Sequence, residues 1–400
     1  MIQHLLQQKL ESFTLPDELK RAGIYPYFRE IEENHDTEVV IDGRRLLMFG
    51  SNSYMGLANH PKVKEGSRKA VEKYGTSCSG SRFLNGTSRL HVELEEKLAD
   101  FVGKEAALVF TTGFQTNLGI LSALTGRNGV LLLDELDHAS IIEGSRLSFS
   151  RVLKFGHNDM YDLEKLLIAL PTDQIKMIAV DGIFSMEGDI CDLPEIVKLA
   201  EKYHAMVMVD DAHSFGVLGN CGRGTADHFG LTKEVDIIMS TFSKSLASIG
   251  GFAASTNDVI NYLKHTSRPM IFSASIPPSA AGAALAALEI IKNEPERLEA
   301  LWKNTAYLCE EIKNLGFDIA TTESPIIPIY IRDNHRTFYF NHRLFEEGVF
   351  VNPVVSPAVK SDSSLIRLSV MATHTQSQLD FVLDKLELVA KEMRIFEPVM

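Results

Sequence analysis

Through the middle of the chain, short unbroken apolar runs alternate with longer amphipathic stretches. The runs are Ala107–Phe110, Val130–Leu133, Met177–Val180, Met206–Val209, Ile237–Met239 and Phe252–Ala254. None alternates apolar with polar, so each predicts a strand covered on both faces. The stretches between them, such as Leu193–Tyr203 (LPEIVKLAEKY), place apolar residues at helical spacing. Strand and helix in alternation predict an α/β fold, a mostly parallel central sheet covered by helices.

Beyond about residue 290 the pattern changes. A long helical segment, Glu294 to Leu315, leads into a strand at Ile326–Ile331 and a helix near Tyr339–Glu347. Strands at Phe350–Asn352 and Leu365–Val370 and a closing helix, Gln376 to Met393, complete a smaller α+β unit. At the other end, Glu38–Ile41 and Arg45–Phe49 predict a hairpin about Asp42–Gly43. The expected organisation is an N-terminal arm over 1–45, a large domain over 46–290 and a small C-terminal α+β domain over 291–400. Neither a flexible linker nor a fixed-period repeat separates them.

Charge and cysteine usage narrow the function. The net charge of -13 argues against a nucleic-acid binder, whose phosphate affinity comes from clustered Lys and Arg. Cys78, Cys191, Cys221 and Cys309 are scattered, with neither CxxC nor His-paired spacing, which counts against a disulfide framework or a zinc site. The first residues, MIQHLLQQKLESF, lack the apolar core and cleavage site of a signal peptide. The most apolar stretch, Ala280 to Ile291, is too short to span a bilayer. These features predict a cytoplasmic chain with no metal.

In parallel α/β sheets ligands bind at the carboxyl ends of the strands. Here four consecutive strands end in polar groups: Asp134-Glu135-Leu136-Asp137-His138, Asp181 to Ser185, Asp210-Asp211-Ala212-His213, and Ser240-Thr241-Phe242-Ser243-Lys244. Most lysines are solvated. Lys244, however, follows a buried strand and is flanked by hydroxyls, and a desolvated lysine becomes a usable amine nucleophile for a carbonyl cofactor. Asp210 reads equally as a helix N-cap or as the carboxylate that keeps the pyridinium nitrogen of pyridoxal 5'-phosphate protonated. His213, three residues on, could reach the phenolic oxygen of such a ring. His138 is a structural histidine or one that stacks on the ring.

Thr112-Gly113-Phe114 opens a helix whose free N–H groups suit a phosphate. The Gly75–Gly86 segment lacks the phosphate-loop lysine and reads as a structural loop. Arg367 alternates with apolar residues in Leu365-Ile366-Arg367-Leu368-Ser369. It faces solvent or, if inward, requires an anion such as a substrate carboxylate.

With these residues assembled, the chain resembles the α-oxoamine synthases, fold-type I pyridoxal-phosphate enzymes with the architecture of aspartate aminotransferase. The likeness runs from about Tyr27 onward and is carried by SNSYMGL (51–57), GSRFLNGT (80–87), HVELEEKLADF (91–101), TTGFQTNLG (111–119), DELDHASIIEG (134–144), DGIFSMEGDICDLPEI (181–196), VDDAHSFGVLG (209–219), TFSKSLASIGGF (241–252) and FSASIPP (272–278). By motif, Lys244 is similar to the Schiff-base lysine and Asp210 to the pyridinium partner. His213, assisted by Ser185, corresponds to the residue on the phenolic oxygen, and His138 to the residue that stacks on the ring and steers the substrate. Gly113, Phe114, Thr241 and Ser243 resemble the family's phosphate contacts. Ser273 and Ala274 would reach the phosphate from the other subunit of a homodimer, since the family builds its site at a subunit interface. Arg367 and Asn52 resemble substrate contacts, Arg367 for the carboxylate.

The resemblance implies a decarboxylative condensation of an amino acid with an acyl-CoA. Phe242-Ser243-Lys244-Ser245, where several family members read Leu-Gly-Lys-Ala, points to L-serine and a long-chain acyl-CoA, with 3-oxosphinganine, CO2 and CoA as products. So does the run Asn352-Pro353-Val354-Val355-Ser356-Pro357-Ala358. The alternatives are a synthase that joins glycine or alanine to a shorter acyl-CoA, a non-catalytic partner subunit and an aminotransferase. The sequence is compatible with a range of acyl-chain lengths, and with a free enzyme or one attached to the inner membrane surface.

Overall fold

A computed structural model describes residues 2–396. The central sheet has seven strands, which run from edge to edge as Ala106–Phe110, Gly251–Ser255, Ile237–Thr241, Met206–Asp210, Lys176–Asp181, Val130–Asp134 and Arg151–Phe155. Gly251–Ser255 is antiparallel to both neighbours, and the pairings among the last five strands are parallel. Successive side chains of a strand leave opposite faces of the sheet. Ile178, Val180, Val207 and Val209 therefore join one core. Met177, Ala179, Met208 and Met239 join a second core on the other face. This two-sided burial is why the runs carry no polar alternation.

The seventh strand, Arg151–Phe155, was not anticipated from sequence. It is an edge strand whose Arg151, Val152 and Lys154 are exposed, so its hydrophobic signal is broken, and charged residues of this kind protect a sheet edge from foreign pairing.

The expected hairpin forms as Glu38–Ile41 and Arg44–Met48 and is extended by a parallel pairing to Val349–Phe350. The single strand expected at Phe350–Asn352 is divided. Val349–Phe350 belongs to this small sheet, whereas Asn352–Val354 pairs with Leu365–Ser369 in a three-stranded sheet beside Ile326–Tyr330. Every residue of Leu365–Ser369 is buried, Arg367 included. The apolar stretch near 280 is the helix Pro278–Asn293, packed against Pro61–Tyr74. Gly66 and Gly282 allow the close approach, because a Cβ at Gly66 would stand 2.7 Å from the Gly282 carbonyl oxygen. Among the described residues no helix is long and apolar enough to cross a membrane.

Candidate active site

Parallel pairing sets Asp181 beside Asp210, and Asp210 beside Met239, so the strand ends share one rim of the sheet. A cavity of about 280 Å³ opens there, lined by Gly113, Phe114, His138, Asp210, His213, Thr241, Ser243 and Lys244, together with Asn117, Ser140 and Asp181. Eight of the residues expected from sequence thus share one wall. Ser185, Asn52 and Arg367 lie behind it as a connected group, and Ser273 and Ala274 stand outside it.

Lys244 follows the end of the strand Ile237–Thr241. Its Nζ makes no hydrogen bond or ion pair with another described residue. Burial lowers its pKa to about 8, against the opposing pull of Asp210 and Asp181, and the positive charge of Arg367 lowers it further. An amine so lowered gives up its proton more readily than a solvated lysine and can act as a nucleophile.

Asp210 is buried, with its two oxygens separately engaged: Oδ1 accepts from the Ala212 backbone N–H at 2.9 Å and Oδ2 from Asn117 Nδ2 at 2.7 Å. His213 is held well below the usual imidazole range, first by burial and then by the charges of Lys244 and Arg367. Tyr54, kept a phenol by burial, lies with its hydroxyl 2.6 Å from Nδ1 of this neutral ring. A proton donated there leaves Nε2–H as the outward donor. His138 caps the helix Ala139–Ser148 through Nδ1. Its ring opens on the cavity, and burial, then the Lys244 charge, lowers its pKa, with Asp210 opposing.

At the other end of the cavity Thr112 caps the helix Gly113–Leu124, its hydroxyl accepting from the Gln115 N–H at 3.1 Å. The N–H groups of Gly113 and Phe114 find no acceptor among the described residues. Thr241 Oγ1 and Ser243 Oγ stand 2.9 Å apart beside them. A Cβ at Gly113 would fall 2.6 Å from Thr241 Cβ, so glycine is what lets this turn close against the strand end. Free helix N–H groups and two hydroxyls make an anion cradle. With an unpaired amine on one side and a buried carboxylate on the other, these donors fit a pyridoxal phosphate.

Arg367 points inward. Nε donates to the Ser185 carbonyl at 2.6 Å, and Nη1 donates to Asn52 Oδ1 at 2.9 Å and Ser369 Oγ at 2.8 Å. Among the described residues Nη2 reaches only the Tyr54 hydroxyl, at 3.5 Å, and none of the guanidinium's contacts is a carboxylate. A buried guanidinium held only by neutral acceptors is costly, and an incoming anion would offset that cost.

Sequence reading passed over Asn117, Ser140 and Tyr54. Asn117 stands four residues after Gly113, on the same helical face, and that spacing was the available signal. The Gly75–Gly86 segment is structural, as expected: Arg82 makes a buried bidentate pair with Glu95 at 2.8 and 3.0 Å.

Fold and site together define a fold-type I enzyme whose cofactor is pyridoxal 5'-phosphate. The model of the aminotransferase class I and II family matches residues 44–386. Serine palmitoyltransferase of Sphingobacterium spiritivorum is 58% identical over 98% of this chain and 98% of its own length. The 8-amino-7-oxononanoate synthase of Thermoanaerobacter pseudethanolicus is 42% identical over 98% of each. Among solved structures, a variant of S. paucimobilis serine palmitoyltransferase with bound pyridoxal phosphate and myriocin superposes with a TM-score of 0.95 at 35% identity, covering 98% of this chain and 99% of that one. The chain belongs to the aminotransferase class I and II family and, within it, to the serine palmitoyltransferases.

Proposed function

We propose that this chain condenses L-serine with a long-chain acyl-CoA, releasing CO2 and CoA and forming 3-oxosphinganine, the reaction that opens sphingolipid synthesis. The observation that carries the reading is a pair of cations without carboxylate partners among the described residues, half-buried Lys244 on the cavity wall and buried Arg367. One suits a carbonyl cofactor and the other an amino-acid carboxylate.

The cofactor supplies an electron sink for charge that develops on the α-carbon of the amino acid. Lys244 would anchor it and would serve as the base for the α-proton of the bound serine. Asp210, its oxygens fixed by the Ala212 N–H and Asn117, would face the ring nitrogen. His213, braced by the Tyr54 hydroxyl on Nδ1, would present a donor to the phenolic oxygen, with Ser185, whose carbonyl accepts from Arg367, assisting it. Gly113, Phe114, Thr241 and Ser243 bind the phosphate. Arg367 and Asn52 would hold the serine carboxylate, and His138, on the cavity wall, would cover the ring and direct an N–H at the substrate. Holding both reactants in register supplies much of the rate.

A second cavity, of about 520 Å³, shares Ser243, Lys244 and Ile249 with the first and is otherwise lined by small or apolar residues such as Ser51, Ala58, Ala247, Pro277 and Ala283. Its position beside the reactive amine supports an acyl path. The nearer likeness to palmitoyltransferases than to the oxononanoate synthase supports serine and a long chain over the alternative synthases. The active unit on this reading is a homodimer in which Ser273 and Ala274 of each subunit complete the other's phosphate site. The large cofactor domain spans 46–290, between an arm over 1–45 and a small domain over 291–400. We place the enzyme in the cytoplasm, free or peripherally attached to the inner membrane.

The test compares CoA release from palmitoyl-CoA and acetyl-CoA with L-serine, glycine and L-alanine. Serine with palmitoyl-CoA should dominate. Equal turnover of glycine with acetyl-CoA would remove the substrate assignment.

A further inference from the structure

Between the carboxylate of Asp210 and the ring of His138 runs an unbroken chain of hydrogen bonds through two residues with no assigned role. Asn117 Nδ2 lies 2.7 Å from Asp210 Oδ2 and 2.8 Å from Ser140 Oγ. Ser140 Oγ lies 2.7 Å from His138 Nδ1. We propose that Asn117 and Ser140 are positioning residues that hold His138 as its Nε2–H tautomer and set that orientation from the charge on Asp210.

The direction of every bond follows from donor and acceptor counts. An amide nitrogen carries two protons and no acceptor. Asn117 therefore gives one proton to Asp210 and the other to Ser140. Ser140 Oγ, having accepted, has its own proton left for Nδ1. The backbone N–H of Ser140 also points at Nδ1, at 3.2 Å, so that atom is an acceptor and the ring proton sits on Nε2. His138 Nε2 has no partner among the described residues, and the ring lines the cavity.

A second observation shows that the chain is oriented from its charged end. Asn117 Oδ1 is buried without a hydrogen-bond partner. Turning the amide over would bring that oxygen against the Asp210 carboxylate and Ser140, so the side chain leaves its carbonyl unpaired to keep both N–H groups on these two acceptors. The charged or titratable groups around His138 are Asp210, Lys244, His213 and Asp181, whose Oδ2 accepts the His138 backbone N–H at 2.7 Å. Within this set the relay lets His138 present an N–H donor without adding a second positive charge beside Lys244. The inference rests on the proposed function for its purpose, and on the hydrogen bonds alone for its existence.

The test uses the full-length protein labelled with 15N-histidine, with His138 assigned through His138→Gln. In the wild type, neutral His138 should give the signature of Nε2–H with a hydrogen-bonded Nδ1. Ser140→Ala and Asn117→Leu should raise the His138 pKa and weaken that signature. Ser140→Thr, which keeps a hydroxyl, should restore both. In turnover, Ser140→Ala should lower kcat by about 10-fold to 100-fold, the scale of a misplaced reacting group, while the KM for serine stays within about twofold and the cofactor is retained. A wild-type His138 protonated on Nδ1 overturns the proposal, even if no variant folds. So does a Ser140→Ala variant with unchanged titration and kcat. Failure of the wild type to use serine and acyl-CoA sinks the proposed function instead and leaves the spectroscopic result standing.

Discussion

Arg367 Nη1 donates to Asn52 Oδ1 across 2.9 Å, joining residues 315 positions apart in sequence. That contact ties the loop after the strand Arg44–Met48 to the small three-stranded sheet and leaves Nη2 the least occupied corner of the guanidinium. Arg367→Ala should raise the KM for serine by about 10-fold to 100-fold, as expected for a charged hydrogen bond of about 1.5–3 kcal/mol. Cofactor absorbance should persist. Steady-state kinetics with serine as the varied substrate decide it, and an unchanged KM would detach Arg367 from the carboxylate.

His157 lies between two carboxylates, Nδ1 3.1 Å from Asp134 Oδ1 and Nε2 2.8 Å from Asp189 Oδ2. Burial alone would lower its pKa, but the two hydrogen bonds outweigh burial and hold it protonated up to about 10. A folded-state pKa above the unfolded value of 6.5 means that folding takes up protons. The stabilisation is therefore complete below about pH 6.5 and is lost as pH rises through about 10. Denaturant midpoints of wild type and His157→Gln should differ most at low pH in this window and converge toward its top. A gap that widens with pH would contradict the assignment.

The buried pair Arg82–Glu95 is also braced by the Val109 N–H, which donates to Glu95 Oε1 at 2.8 Å. Removing one partner strands a buried charge, so Glu95→Ala should cost about 3–5 kcal/mol of unfolding free energy. Chemical denaturation measures it. A loss below about 1 kcal/mol would place the pair among solvent-screened surface bridges.

Much of the site was legible because parallel strands deliver their last residues to one rim, so Asp210, His213, Thr241 and Lys244 could be grouped by rule. The orientation of Arg367 was not. Alternation along Leu365–Ser369 fits an outward arginine equally well until both faces of the strand prove to be buried. Asn117 and Ser140 meet only because two helices pack, and Tyr54 reaches His213 across 159 positions. Pairwise contacts of this kind leave no periodicity in sequence. The edge strand Arg151–Phe155 and the divided segment at 349–354 escaped for a related reason. Pairing partners, more than hydrophobic runs, decide where short strands belong.

Lys244 carries the whole account. Replacing it with alanine should lower turnover by at least about 10²–10⁴-fold, the range for a lost general base, and should abolish the covalent attachment of the cofactor. The more direct measurement is made on the wild type: borohydride reduction of the purified yellow protein, digestion, and mass spectrometry of the peptides. A reduced pyridoxyl group should appear on Lys244 at near-stoichiometric yield and be removed by prior incubation with L-serine. A pyridoxyl group on another lysine, or none on Lys244, would contradict it.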